Sequence, residues 1–131
     1  GVFSVQIDDT LRKADEIIKT ENVRHVPVLE GEKYIGMITE RSIMEHTLRQ
    51  LYDYHDHSFG EDGYSRISDF QDIITKPKYL VYPEDSIQKA VELMGKRKLD
   101  CLPVVDWQGN LVGILTSVDL MIFFYRWLSE H

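Results

Sequence analysis

Apolar residues along this chain fall into two spacings, and the change from one to the other comes at matching places in each half. After Glu84, Asp85 and Ser86, which offer a helix N-cap, Ile87, Ala90, Val91 and Met94 follow at i, i+3, i+4 and i+7. That spacing predicts an amphipathic helix. Short apolar runs over 101–105 and 111–115 flank the turn-forming stretch Asp106, Trp107, Gln108, Gly109 and Asn110, and together they predict a β-hairpin. Thr116 or Ser117 then caps another helix. The first half repeats the order, with a helix from about Thr10, strands around residues 25–29 and 34–38, a turn at Gly31 and a helix opening near Thr39. Pro27 and Pro103 fall early in a strand, where a missing N–H is tolerated at a sheet edge.

The two halves superpose in sequence as well as in pattern. A shift of 76 residues places Asp9 on Asp85, Lys13 on Lys89, Ala14 on Ala90, Glu16 on Glu92, Pro27 on Pro103 and Val28 on Val104. After one added residue near Trp107 the shift becomes 77, matching Gly36 to Gly113, Thr39 to Thr116 and Ile43 to Leu120. An extra residue there belongs in a hairpin loop. The fold is therefore expected to be α+β, built from a β-α-β-β-α unit used twice.

Composition narrows the function classes. With 131 residues, 43% of them hydrophobic, the chain can bury one good core or two small ones. No apolar stretch reaches the roughly 18 to 20 residues that cross a bilayer, so membrane insertion is not expected. A net charge of −7 repels a phosphate backbone and argues against nucleic acid. The single cysteine, Cys101, excludes an intrachain disulfide framework and suits a reducing, cytoplasmic compartment. The start at Gly1, Val2, Phe3 and Ser4 lacks an initiator Met, which suggests a preceding segment.

Several stretches together resemble the cystathionine-β-synthase (CBS) domain, which occurs in tandem as the Bateman module. In the second copy these are Leu102, Pro103, Val104, Val105 and Asp106, followed by residues 109–119 from Gly109 and Asn110 through Gly113, Thr116 and Ser117 to Asp119. In the first copy they are Val26, Pro27, Val28, Leu29 and Glu30, then residues 34–39. Asp72, Ile73, Ile74 and Thr75 look like the lead-in that commonly precedes such a unit. The resemblance covers most of the chain and sets unit 1 at 1–50, with its N-terminal lead-in expected to lie before the given residues, a linker at 51–71, and unit 2 at 72–131 with a C-terminal helix. It implies two pseudo-twofold-related units packed through their short sheets, with clefts between them. It also implies a homodimer, an adenosine ligand of the AMP, ADP, ATP or S-adenosylmethionine class, and control of a fused or associated protein in signal transduction.

Residues 113–119 make chemical sense as a ribose and phosphate reader. A strand becomes a helix there, and a helix N-terminus presents unpaired N–H groups and partial positive charge. Thr116 and Asp119 share the first turn, and an ionised Asp can accept hydrogen bonds from both ribose hydroxyls. The same pair can equally serve as a helix cap. From the family layout, Ser117, Ile114, Tyr79, Leu80, Cys101, Leu102 and Pro103 are further ligand-binding candidates, with Lys78 beside them at the strand start. Core packing is the competing role for Tyr79 and Leu102.

The first copy departs at this point, because Ser42 stands where the acid is expected. A weaker first cleft is expected around Thr39, Arg41, Ser42 and His25, with Arg41 alternatively a solvated helix residue and His25 alternatively structural. In the linker, His55 and His57, with Asp53, Asp56, His46 and Glu61 nearby, are weak metal candidates against the plainer reading of a polar connection. No metal or cofactor is expected. The last helix is apolar around much of its circumference through Leu120, Met121, Ile122, Phe123, Phe124, Tyr125, Trp127 and Leu128, and offers a second face to a dimer mate or fused domain.

No nucleophile-and-base pair, paired carboxylates or Walker-type loop supports an enzyme, and no local motif places a base beside Cys101. The expected function is regulatory ligand sensing. The competing reading is a ligand-free dimerisation or protein-interaction module.

Overall fold

A computed structural model describes residues 3–53, 65–76 and 78–131. Its contacts fall into two units, one over residues 3–77 and one over residues 78–131. The fold is α+β with short sheets.

In the first unit β1 (Val5–Gln6) leads to α1 (Leu11–Thr20), the hairpin β2 (His25–Glu30) and β3 (Lys33–Thr39), and then α2 (Glu40–Asp53). Two short 3-10 turns, Ile67–Asp69 and Gln71–Ile73, and β4 (Ile74–Thr75) complete it. The sheet runs β1-β2-β3-β4, with β1 parallel to β2 and the other pairs antiparallel. In the second unit α3 (Ile87–Arg97), the antiparallel hairpin β5 (Cys101–Val105) and β6 (Leu111–Thr116), and α4 (Ser117–Glu130) repeat that order. A parallel bridge from Val81 to Val104 stands where Val5 pairs with Val28.

Each helix starts for the same local reason. Thr10 caps α1 by accepting from Lys13 N, and Ser86 caps α3 by accepting from Lys89 N. Ahead of each cap an aspartate binds the chain in the same way. Asp9 accepts from Gln6 N at 2.7 Å and pairs with Lys13 at 3.1 Å, while Asp85 accepts from Tyr82 N at 2.8 Å and pairs with Lys89 at 2.9 Å. The repeated Asp and Lys thus hold the turn that feeds each helix. Asn22 and Lys98, one repeat apart, both take left-handed backbone angles just beyond the helix ends.

Three sequence expectations change. Pro27 does not lie at a sheet edge, because β2 has β1 on one side and β3 on the other. Its equivalent, Pro103, shows why proline is tolerated: the Pro103 carbonyl accepts from Val81 N at 3.0 Å. The ring nitrogen faces the same side and falls beyond the end of the short parallel pairing, where no ladder bond is required. The predicted face of α3 is only half buried, with Ala90 and Met94 inside but Ile87 and Val91 exposed. The described end of the 51–71 linker, residues 65–71, is not a plain connection, since Ile67 is fully buried in the first core with Phe70 packed against it, and Ile73 and Ile74 follow it there.

The lead-in stretch Asp72, Ile73, Ile74 and Thr75 therefore packs on the unit that precedes it in sequence. Arg49 and His46 of α2 both bond the Asp72 carboxylate, and the His46 ring meets Phe70 edge-on. Burial works to raise the Asp72 carboxyl, but the hydrogen bonds from Arg49 and His46 outweigh it and hold the group below its usual range.

Candidate functional site

The strand-to-helix turns after β3 and β6 carry the candidate chemistry, and both close with reciprocal bonds. At the second turn Thr116 N donates to Asp119 Oδ2 at 3.1 Å while Asp119 N donates to Thr116 Oγ1 at 3.1 Å. This is a full capping box. At the first turn Thr39 N donates to Ser42 Oγ at 2.9 Å and Ser42 N donates to Thr39 Oγ1 at 2.9 Å, while Ser42 Oγ donates to the Thr39 carbonyl at 3.0 Å. Serine and aspartate thus do the same structural work. They differ in what is left over.

Ser42 is buried and its hydroxyl is spent locally. Asp119 is exposed, and its second oxygen, Oδ1, has no hydrogen-bond partner among the described residues. The cap therefore orients the Asp119 side chain through one oxygen and leaves the other for a donor from outside. The first turn of α4 lies directly beside it, with the Ser117 N–H taken by the Asp100 carbonyl at 2.8 Å. Glu40 N and the Arg24 carbonyl make the equivalent 3.0 Å bond in the first unit.

Strand register brings several other candidates alongside this turn. Cys101 is paired with Thr116 and Pro103 with Ile114 across the β5–β6 hairpin. Cys101 is half-buried, and burial followed by the charge of Asp100 pushes its thiol up to about 11, so it stays protonated and unreactive near neutrality. Leu102 and Pro103 are fully buried, with Leu102 at the centre of the second core, so packing occupies both. Tyr79 packs against the same core, with the Arg97 guanidinium 5.4 Å from its ring centroid. Leu80 remains exposed. In the first unit His25 is paired with Thr39 across the β2–β3 hairpin, and Arg41 is exposed and pairs with Glu45 at 3.1 Å along α2.

Of the weak metal candidates, His55, Asp56, His57 and Glu61 lie outside the described residues. Among the described residues no cluster of His, Cys, Asp and Glu side chains is arranged to hold a metal ion. No described helix is long and apolar enough to cross a membrane. The feature that sequence reasoning missed is the plug formed by residues 65–75. Its signal was the apolar spacing of Ile67, Phe70, Ile73 and Ile74 within a stretch that has no partner in the other half.

Comparison with known proteins agrees with the fold. The family model for the CBS domain matches residues 1–49 and 70–126. Among curated relatives, the CBS domain-containing protein YhcV of Bacillus subtilis is 31% identical over 121 residues, covering 92% of this chain and 77% of its own length. Inosine-5'-monophosphate dehydrogenase of Korarchaeum cryptofilum is 30% identical over 125 residues, and the chain, 95% of it aligned, spans only 22% of that enzyme. Among solved structures, a putative acetoin utilization protein (AcuB) from Vibrio cholerae superposes with a TM-score of 0.80 at 21% identity, covering 98% of this chain and 86% of that one. CBSX2 in complex with AMP gives 0.74 at 20% identity, covering 96% and 89%. A CBS domain pair in complex with 5'-methylthioadenosine and S-adenosyl-L-methionine gives 0.71 at 22% identity, covering 94% and 91%.

Proposed function

Because the chain belongs to the CBS-domain family and carries two copies of its unit, we propose that it is a regulatory module that senses an adenosine compound through the Thr116–Asp119 turn. The observation that carries this reading is the asymmetry between the two caps. Asp119 keeps an unspent carboxylate oxygen on an exposed turn, whereas the hydroxyl of Ser42 is consumed inside its own. A ribose offers two neighbouring hydroxyl donors to such a carboxylate, and the α4 N-terminus offers N–H groups and partial positive charge to a phosphate. The AMP and S-adenosylmethionine held by two of the similar structures belong to the same chemical class. The role is regulatory and not catalytic. The part of the dehydrogenase that the chain spans is about a fifth of that enzyme.

The test is a thermal melt with AMP, ADP, ATP and S-adenosylmethionine. A ligand held only by the folded state stabilises it by about 2.7 kcal/mol at a hundredfold excess over Kd, a shift of several degrees. The decisive variant is Asp119→Ser, because the first turn demonstrates that serine sustains the same cap. It should keep the unliganded melting temperature close to wild type while weakening binding by about one to two decades, the loss of one charge-assisted contact. Ser42→Ala should leave affinity unchanged. Equal loss from both variants, or no response to any of the four ligands, would overturn the reading.

A further inference from the structure

Trp107 is the most exposed large apolar side chain among the described residues, at 72%, yet its ring is held in place. The indole stacks on Tyr82 in the second unit, with ring centroids 4.0 Å apart and planes 10° from parallel. Stacking of this kind occupies one face of each ring. The opposite face of Trp107 is the part left to solvent.

Both rings stand on turns already fixed by hydrogen bonds. In the β5–β6 loop the Asp106 carboxylate accepts from Gln108 N at 2.9 Å, Asn110 N at 2.9 Å and Asn110 Nδ2 at 3.2 Å, and the Asp106 carbonyl accepts from Gly109 N at 3.0 Å. Ahead of α3, Tyr82 N donates to Asp85 Oδ2 at 2.8 Å and Asp85 N donates to the Tyr82 carbonyl at 2.9 Å. The indole is thus pre-organised, which lowers the ordering cost of any contact it makes.

The loop does not require an indole to hold its shape. One repeat before Tyr82 stands Gln6, whose side-chain amide fixes the equivalent loop through two bonds to Gly31, at 2.9 and 3.0 Å. That loop reads Glu30, Gly31, Glu32, with no aromatic residue. A polar side chain does there what the stacked pair does here, so the open face of Trp107 is surplus to the fold.

The charge around the stack decides what fits it. Asp106 precedes Trp107, while Glu84 and Asp85 follow Tyr82. Lys89 offsets one of these acids through its 2.9 Å pair with Asp85. Glu84 is exposed and makes no ion pair among the described residues. Hydrogen bonds, from Asn110 N foremost, hold the Asp106 carboxyl below its usual range, so this acid is charged near neutrality. The electron-rich face of an indole beside excess negative charge attracts a cation and repels a phosphate or an acidic chain. Among protein cations arginine fits best, because a planar guanidinium lies flat on the ring while its N–H fork reaches a carboxylate.

We propose that the open face of Trp107 anchors an arginine from a basic segment of a partner protein, with Glu84 as the carboxylate that pairs with it. This goes beyond ligand sensing and does not rest on it.

The experiment is a chemical-shift titration of the 15N-labelled full chain with the peptide acetyl-Gly-Arg-Gly-Arg-Gly-amide. The two tryptophans give two indole N–H signals, so Trp127 serves as an internal control. The Trp107 signal is expected to shift saturably while that of Trp127 stays in place. A peptide with citrulline for arginine keeps the shape without the charge and should bind about fivefold or more weakly. Glu84→Gln should weaken the arginine peptide by about two- to fivefold. Trp107→Ala, followed through the Gln108 and Asn110 amides, should abolish saturation, and circular dichroism should show both variants folded. No saturable shift, equal affinity for the citrulline peptide or wild-type binding by Trp107→Ala would refute the anchor. Equal movement of both indole signals would mean diffuse attraction to an acidic chain and would also overturn it.

Discussion

Asp85 illustrates how much one side chain can fix. Its carboxylate accepts from the Tyr82 N–H and from Lys89, and those bonds hold its pKa below the usual carboxylate range. A group whose pKa is depressed on folding adds stability above its unfolded value of about 3.9, and that stability is lost as pH falls through the folded value. The melting temperature of the wild type is therefore expected to fall as the pH drops below about 4. Asp85→Asn, which can still accept from Tyr82 N, should be less stable at pH 7 and show a flatter fall. Identical slopes in melts across that range would remove Asp85 from the acid transition. The Asp and Lys of each turn were legible in the sequence as repeat identities, although only the backbone bonds explain why they recur. The fate of Asp119 was not legible, because capping and ribose binding ask for the same two residue types at the same spacing. The structure shows the capping use, which engages one carboxylate oxygen.

Among the elements, the hairpins and capped helices were readable because each depends on contacts within about ten residues of chain. What was not readable depends on distant partners. Leu11 and Ile87 carry the same apolar signal at the same helical position, yet only the first is buried, because residues 65–67 lie against it. Pro27 looked like an edge residue until the length of β1 showed where the parallel pairing stops. The two equivalent glycines differ for the same reason and give a direct test of the plug. Gly36→Ala must displace Ile74 or the Thr75 carbonyl and is expected to cost about 1–3 kcal/mol as overpacking. Gly113→Ala meets only ordinary contact and should stay within about 0.5 kcal/mol. Chemical denaturation of the two variants measures the difference. Equal costs would mean that β4 does not hold its place on β3 in solution.

For the molecule as a whole, α4 carries more apolar surface than a solitary helix face can leave in water. Phe123, Phe124, Tyr125 and Trp127 are 66%, 57%, 71% and 47% exposed. At about 150–250 Å² for each aromatic side chain they expose on the order of 400–600 Å², half or more of the roughly 800 Å² that each partner buries in a standard interface. Met121 and Leu128 extend that surface, and their equivalents on α2, Met44 and Leu51, are exposed as well. A stripe kept apolar in both copies of a duplicated unit is expected where two identical chains meet, since a twofold interface uses the same patch from each. We expect the chain to sediment as a dimer. Met121→Asp combined with Tyr125→Asp should yield a folded monomer, because both side chains are exposed and neither contributes to a core. A wild-type monomer at all concentrations would leave the α4 surface to another protein. A dimer untouched by the double substitution would move the interface to a different face. The Thr116–Asp119 turn opens this same helix, so a ligand there and a mate on the apolar face bear on one element. If the two are coupled, the adenosine compound should bind the double variant with altered affinity, and by linkage saturating ligand should shift the dimerisation constant of the wild type by the square of that factor, one for each chain's site.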